Sequence, residues 1–235
     1  MMGATHRTRK APSKTMSTKL HRIHARPDYV DEVYTILLNA ISDGALAPGV
    51  RITQEEIAEQ MDVSRSPVLQ ALRLLKKDGL VQDAPGRGVL VTPLAVTFIS
   101  NLYLIRGALD KLAARMAAEK CYQMDPKLIE HGRRISQGTD VKAMTDADLA
   151  FHQEIYAASG NPLIAESVKV YWVHLRRAMG AVLQHSAQRQ SIWDEHEAIA
   201  KAIAKGDSVK AGDLSDLHTN NAREYLVCRL DEYLR

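Results

Sequence analysis

Asp148 and His152 stand four residues apart in the stretch DADLAFHQEIYAASG, which covers residues 146–160. The stretch has the apolar spacing of a helix, so the two side chains project from one face, about 5–6 Å apart. At that separation a carboxylate and an imidazole can share one metal ion. The same pair is also consistent with a plain helix-stabilising ion pair, which contributes about 0.5 kcal/mol or less.

Two further histidines occur in helical patterns with an apolar face. His196 lies in DEHEAIAKAI and His218 in SDLHTNNAREYL. Apolar residues at helical spacing predict that both side chains face inward; they are Ile192, Ile199 and Ile203 around the first and Leu214, Leu217 and Leu226 around the second. One carboxylate and three imidazoles from three helices suit Zn²⁺, Ni²⁺ or Mn²⁺. For any one of these histidines taken alone, a hydrogen-bonded core or surface residue is the favoured interpretation.

Arg106, in LYLIRGALD, lies on a helix whose inner face is predicted to be otherwise apolar, with Leu102, Ile105, Leu109 and Leu112. A guanidinium that faces such an interior needs an anion, and a carboxylate ligand would pair with it bidentately. The alternative is a structural pair with Asp110 at i+4. Tyr103 and Trp193 fit either a pocket wall or the core.

Long helical patterns must position these residues. From Pro93 onwards the apolar spacing predicts six helices, near 95–122, 126–137, 141–158, 162–184, 188–205 and 208–233. Short breaks such as SQGT, SGNP and KGD separate them. This pattern is typical of an all-α bundle.

The preceding segment has three shorter helices and a hairpin. Thr53 and Glu56 form a capping box, Ser64 is the predicted N-cap of the third helix, and Gly79 ends it. LVQDAPGRGVLVTP contains two β-prone runs around a turn, which completes a winged helix-turn-helix. The third helix of such folds enters the major groove. The predicted DNA contacts are Arg65, Ser66, Leu69, Gln70 and Arg73 on this helix and Arg87 and Gly88 at the wing tip.

Composition predicts a protein of the cytoplasm. No apolar run approaches the roughly 20 residues that span a bilayer, and the two cysteines suit reduced thiols. Residues 1–26 hold seven basic and no acidic residues, so subtracting seven from the net charge of +3 leaves −4 for the remainder. A basic arm favours an anionic polymer as partner, although a solubilising tail or an organellar transit peptide has the same composition. The predicted division is an arm at 1–26, a winged helix-turn-helix at 27–92 and a helical effector domain at 93–235.

Most of the chain resembles a known family. The stretch EEIAEQMDVSRSPVLQALRLLKKDGLVQDAPGRGVLV resembles the DNA-binding domain of the GntR family of bacterial transcription regulators. The remainder resembles the C-terminal domain of its fatty-acid-regulator (FCD) branch, on LYLIRGALDKLAARMAA, DADLAFHQEIYAASGNPLI, WDEHEAIAKAIAKGD and LSDLHTNNAREYL. Together these stretches cover residues 28–235, and their order is more specific than any one of them. The C-terminal domain is predicted to have six helices rather than seven, and in this respect it looks more like the vanillate-regulator subgroup of the FCD branch.

The resemblance implies a homodimer that binds a near-palindromic double-stranded operator and changes its grip when a small effector binds. It implies that Asp148, His152, His196 and His218 ligate a divalent metal ion, and that Arg106 contacts the effector. Because metal and guanidinium would share one cavity, we expect a small organic acid as effector. His131, His174 and His185 match no ligand position.

Two positions depart from the family pattern. Members usually carry arginine where this chain has Glu55 and Leu69, whereas Arg65, Gly86 and Gly88 are retained. Arginine can bond guanine bidentately, but leucine offers only apolar contact. We therefore predict an operator that differs from the common family consensus. The alternative is that Leu69 merely packs at the domain edge.

The sequence thus predicts a transcription regulator, a repressor rather than an enzyme. A metal-dependent hydrolase is the rival, because three histidines and a carboxylate also serve hydrolases. The sequence has no HExxH motif, phosphate-binding glycine loop or nucleophile elbow. A third possibility is a DNA-binding protein whose metal is purely structural.

Overall fold

The computed structural model describes residues 29–182 and 189–235, so the predicted basic arm and His185 lie outside the described residues. The N-terminal part, called the winged unit, comprises α1 (Tyr29–Ser42), β1 (Arg51–Ile52), α2 (Gln54–Gln60), α3 (Arg65–Lys77), β2 (Val81–Asp83) and β3 (Val89–Val91). The strands form an antiparallel sheet in the order β1-β3-β2, with Val81 opposite Val91. This arrangement confirms the winged helix-turn-helix.

Local signals explain where the helices of the winged unit begin and end. The Thr53–Glu56 capping box forms at the start of α2, because each side chain bonds the other residue's backbone N–H. Ser64 is the N-cap of α3, as predicted, although its side chain makes no capping hydrogen bond. Gly79 follows α3 with φ of +73°, a conformation that glycine adopts readily.

The C-terminal part, called the helical bundle, consists in its described residues of six helices. They are α4 (Val96–Glu119), α5 (Pro126–Ser136), α6 (Val141–Ser159), α7 (Pro162–Val182), α8 (Arg189–Ala204) and α9 (Ser208–Leu234). The mainly helical fold class and the six-helix bundle are therefore confirmed. Pro126 lies in the first turn of α5 and Gly160, at φ of +72°, ends α6.

Helix α4 runs along α9 through the middle of the bundle. Ala113, Ala114, Ala117 and Ala118 are fully buried along α4, and small side chains let helices approach closely. Gly212 on α9 is needed for this approach, because a Cβ there would lie 2.7 Å from Cγ of Arg115. Helices α6, α7 and α8 complete the core around this pair.

Some residues predicted to face the interior do not. Ile105 and Leu112 on α4 are 48% and 44% exposed, and Leu217 on α9 is 57% exposed. Leu102 and Leu226 are buried as expected. The spacing of apolar residues identifies an apolar helix face, but it does not determine whether that face packs in the core or is exposed at the surface of the chain.

Polar contacts from α7 join the bundle to the winged unit. Arg176 Nη2 lies 3.0 Å from Asp43 Oδ1, just after α1, and 2.9 Å from Asp146 Oδ1 on α6. His174 Nε2 lies 3.0 Å from the carbonyl oxygen of Asp78, which caps the C-terminus of α3. The C-terminal end of α3 therefore contacts the bundle directly.

Candidate metal centre and DNA-reading surface

Four predicted ligands converge inside the bundle. Asp148 and His152 come from α6, His196 from α8 and His218 from α9, and one ligand atom from each lies within 4.8 Å of the others. Asp148 Oδ1 is 3.4 Å from His196 Nε2 and 3.9 Å from His152 Nε2. The three histidines are buried, and the side chain of Asp148 is 15% exposed.

A carboxylate orients the imidazole of His218. Its Nδ1 lies 2.7 Å from Glu195 Oε2, and because a carboxylate only accepts, Nδ1 carries the proton and donates a hydrogen bond to Glu195. Nε2 then has a free lone pair, and it faces His196 Nε2 at 3.2 Å. Burial by itself would raise the pKa of the Glu195 carboxyl, but hydrogen bonds from His218 and Asn221 lower it below its usual value.

The other two imidazoles carry buried nitrogens without hydrogen-bond partners among the described residues. These atoms are Nε2 of His152 and Nδ1 of His196. Burial and the nearby charge of Arg106 lower the pKa of His152 well below its usual range, and burial and His218 do the same for His196. Both imidazoles are therefore neutral near pH 7, which is the form that ligates metals.

The donor set fits a divalent ion. A tetrahedral ion with bonds of about 2.1 Å has ligand atoms about 3.4 Å apart. Two separations here are 3.2 and 3.4 Å, and that from His152 Nε2 to Asp148 Oδ1 is longer, at 3.9 Å. The unpartnered Nε2 of His152 would gain a partner, which removes the cost of burying it alone. Burial raises the pKa of Asp148, which a neighbouring cation would counteract.

Arg106 is buried beside this cluster. Its Nε donates to Asp110 Oδ2 at 3.1 Å, which is the structural pair that the spacing also allowed. Its guanidinium carbon lies 4.3 Å from the ring centroid of Trp172. Burial is the largest single influence and opposes ionisation, but Asp110 together with Tyr156, Tyr103 and Asp148 outweighs it and raises the pKa of Arg106, so the side chain stays charged.

Asp110 links the arginine to the ligand cluster. It accepts hydrogen bonds from Tyr156 Oη at 2.5 Å and Thr219 Oγ1 at 3.1 Å, and its Oδ2 lies 3.7 Å from His152 Nδ1. Sequence reasoning identified Asp110 only as a partner of Arg106. It missed Tyr156, Thr219 and the orienting Glu195, because these contacts join separate helices and leave no spacing signal.

The aromatic candidates are core residues. Trp193 is 4% exposed and packs so closely on Gly132 that a Cβ there would lie 2.0 Å from the indole ring. Its ring meets the ring of His196 edge-on at 4.7 Å. Tyr103 is 3% exposed. Of the remaining histidines, His131 is exposed and His174 is buried at the domain junction.

Helix α3, which corresponds to the predicted recognition helix, presents most of the predicted DNA contacts to solvent. Arg65, Ser66, Gln70 and Arg73 are exposed, and Leu69 is half-buried. Arg65 Nη1 lies 3.1 Å from Glu55 Oε1 on α2. Glu55 and Leu69, the two departures from the family pattern, therefore lie on either side of the start of α3, and Glu55 contacts the retained Arg65.

The wing tip depends on its glycines. A Cβ at Gly88 would lie 2.4 Å from the carbonyl oxygen of Ile52, and φ of Gly88 is +88°. This glycine has a structural reason to be present, whatever its contact with DNA. Arg87 is exposed, and its carbonyl oxygen accepts a hydrogen bond from Arg51 Nε at 2.8 Å.

Comparison with family models decides the affiliation of the chain. Residues 29–91 match the bacterial regulatory proteins of the gntR family, and residues 101–221 match the FCD domain. The chain belongs to the GntR family. It is a transcription regulator of that family with an FCD domain, in agreement with the predicted resemblance.

Relatives and solved structures of GntR regulators agree with this assignment. The HTH-type transcriptional regulator YdhC of Bacillus subtilis is 27% identical over 87% of this chain and 93% of its own length. The transcriptional repressor RspR of Escherichia coli is 27% identical over 76% of this chain and 81% of its own. The Escherichia coli McbR/YncC structure has a TM-score of 0.71 at 21% identity, covering 84% of this chain and 96% of that one.

A putative GntR regulator from Rhodococcus has the same fold, with a TM-score of 0.70 at 24% identity over 85% of this chain and 97% of its own.

Within residues 29–182 and 189–235, no helix is both long and apolar enough to cross a membrane.

Proposed function

We propose that this GntR regulator is a repressor whose operator affinity is controlled by a small carboxylate bound beside a divalent metal ion. The convergence of Asp148, His152, His196 and His218 within 4.8 Å, in a chain that also carries a DNA-reading domain, supports this proposal. The relative RspR of Escherichia coli is a transcriptional repressor, which favours repression.

The four side chains would hold Zn²⁺, Ni²⁺ or Mn²⁺. When bound, the ion would supply a Lewis-acidic position for a carboxylate of the effector. Glu195 would keep the Nε2 lone pair of His218 directed at the ion, because its carboxylate accepts the Nδ1 proton.

Arg106 would bind the effector's carboxylate from the same side. Asp110 bonds Nε of Arg106, and the planar fork of an arginine offers further donors beyond that bond. A cavity of about 420 Å³ is lined by Tyr156, which bonds Asp110, and by Trp172, which packs on Arg106, although neither Arg106 nor a candidate metal ligand lines it. Its volume falls in the range of small-molecule sites.

The same cavity supports a route to the DNA. Its lining also includes Leu38 and Asn39 of α1 in the winged unit. An effector that favours one arrangement of the bundle would therefore favour one placement of α3, and so shift the population of operator-binding states.

We further propose a homodimer in the bacterial cytoplasm. Helix α4 exposes an apolar row that suits an interface between two copies, and it comprises Leu104, Ile105, Ala108 and Leu112. Two copies would set two recognition helices against operator half-sites about one helical turn apart. The proposed division remains an arm at 1–26, a reading domain at 27–92 and an effector domain at 93–235.

The base contacts proposed for α3 are Arg65, Ser66, Leu69, Gln70 and Arg73, with Arg87 and Gly88 approaching from the wing. Exposure of the basic side chains supports this assignment. The recognition helix would read bases while the wing contacts the backbone.

A binding experiment tests this function. Operator sequences are selected with the metal-loaded chain, and affinity is measured by fluorescence anisotropy across a panel of small carboxylates. We expect one acid to change affinity about 5–150-fold. The change should vanish in Asp148→Ala and in Arg106→Lys, because lysine keeps the charge beside Asp110 but loses the planar fork. An operator affinity that no carboxylate alters, with metal bound, would mean a purely structural metal.

A further inference from the structure

Arg177 of α7 is buried at the junction of the two units without an acidic partner. The residue is 6% exposed. Its Nη2 donates to the carbonyl oxygen of Thr92, which follows β3, and its Nε has no hydrogen-bond partner. Among the described residues, no carboxylate lies within 4.0 Å of its guanidinium nitrogens.

The neighbouring arginine shows what a satisfied guanidinium looks like at this junction. Arg176 bonds the carboxylates of both Asp43 and Asp146. Arg106, deeper in the bundle, bonds Asp110. Burial alone lowers the pKa of Arg177, with no acid to offset it, which is the reverse of the situation at Arg106.

Burying an unpaired charge costs several kcal/mol in real proteins, even after relaxation. A folded chain that retains such a charge therefore needs an anion or water beside it. The space for one is present, because Arg177 lines two cavities of about 160 and 190 Å³. One water takes about 30 Å³ of liquid, so each cavity has room for more than one.

Both cavities lie between the winged unit and the bundle. Gly79, Thr92 and His174 line the first, and Ser42, Asp43 and Tyr233 line the second. Asp43 shares a cavity with Arg177, but its carboxylate is bonded to Arg176. Each cavity offers one hydroxyl group as a hydrogen-bond donor to an anion beside the guanidinium, Thr92 in the first and Ser42 in the second.

We infer that Arg177 anchors an anion-binding site at the junction between the DNA-reading unit and the helical bundle, distinct from the metal cluster. The ligand class is a small oxyanion, either inorganic sulfate or phosphate or a short carboxylate. The bound anion neutralises the buried guanidinium and thereby stabilises the position of the winged unit on α7. This inference does not depend on the proposed metal or effector.

Thermal unfolding of the full chain tests the site, with Arg177→Met and Arg176→Met as a matched pair of variants. Sodium sulfate, phosphate and acetate are titrated separately against chloride at constant ionic strength. At ten times Kd, the native chain should gain roughly 3–6 °C in Tm from at least one of them. Arg177→Met should lose this gain, whereas Arg176→Met should retain it.

The variants also differ in the chloride reference buffer. Arg177→Met should unfold at the same temperature as the native chain or higher, because an apolar side chain of similar volume replaces an unpaired charge. Arg176→Met should unfold at a lower temperature, because it leaves two carboxylates without their partner. Arg177→Lys keeps the charge without the planar fork, and we expect it to show a reduced anion response.

Several results would overturn the inference. Sulfate stabilises proteins generally by exclusion from their surface, so equal gains in the native chain and Arg177→Met would exclude a site. A chain with Arg177→Met that is destabilised as much as Arg176→Met, or that does not fold, would show that the guanidinium is satisfied by its bond to Thr92 and by water.

A response to acetate alone would identify the carboxylate as the ligand, and a response to sulfate and phosphate the inorganic oxyanion.

Discussion

Glu195 illustrates how one side chain outside the ligand set can control a metal site. Its carboxylate lies 2.7 Å from Nδ1 of His218 and 3.1 Å from Nδ2 of Asn221. The first bond selects the tautomer of His218 that leaves Nε2 free, and the second holds the carboxylate in place. Partners of this kind commonly change metal affinity 10–100-fold.

We therefore expect Glu195→Ala to weaken metal binding by about 10–100-fold while the chain still binds one ion. Competition against a chromophoric chelator measures the affinity. Glu197→Ala is the matched control, because Glu197 bonds Arg133 and Lys201 instead of a histidine. Equal affinities in the native chain and Glu195→Ala would show that His218 does not depend on this carboxylate.

The four candidate ligands were predictable, but the residues that support them were not. The i, i+4 spacing placed Asp148 and His152 on one helix face, but their combination with His196 and His218 was implied by the resemblance to the FCD domain. Arg106 and Asp110 also share a helix, so their pair was foreseen as an alternative. Tyr156 and Thr219 bond Asp110 across helices, and such contacts depend on packing that one sequence does not reveal.

The recognition helix is the element in which this chain differs most from its family's usual pattern. Glu55 on α2 lies 3.1 Å from Arg65 at the start of α3, so the retained arginine has an acidic partner in the absence of DNA. Leu69 is half-buried one turn further along. An exposed ion pair of this kind is weak, so DNA phosphates or bases can replace it.

Leu69→Arg should change the operator that the protein selects. Arginine can bond O6 and N7 of guanine, whereas leucine contacts at most a thymine methyl group. We expect the selected motifs to differ by a gain of guanine at one position in each half-site, worth about 1–3 kcal/mol of discrimination. Selection from random duplexes with both proteins checks this, and identical motifs would remove Leu69 from base readout.

At the scale of elements, the sequence predicted most helix positions to within a few residues. The expected helix at 126–137 spans Pro126–Ser136, and the one at 95–122 spans Val96–Glu119. Caps and glycines explain this success, because they act locally. The sequence did not show which face of α4 is buried, because Ile105 and Leu112 are apolar yet exposed.

At the scale of the whole molecule, the single chain has a row of exposed apolar residues on α4. Leu104 is 52% exposed, and Ile105 and Leu112 are nearly as exposed. A second copy packed on this row would bury it and would orient two recognition helices relative to each other. His174 and Arg176 then connect each bundle to its own winged unit.

We expect the native chain to be a dimer and Leu104→Glu combined with Leu112→Glu to be a monomer, because carboxylates resist burial at an apolar interface. Sedimentation equilibrium measures the mass. Leu163→Glu is the control, since Leu163 is an equally apolar side chain that is 71% exposed at the start of a different helix, α7. A double variant that remains dimeric would place the interface elsewhere.

The most direct test of the proposed metal control is the metal content of the purified, dialysed chain, measured beside His152→Ala and His196→Ala. The account predicts about one divalent ion per native chain and its loss in both variants, because each variant removes one of four ligands. A folded native chain that holds no ion and cannot be loaded with Zn²⁺, Ni²⁺ or Mn²⁺ would contradict it. Asp148 and the three histidines would then form a polar cluster, and Arg106 would have to bind the effector alone.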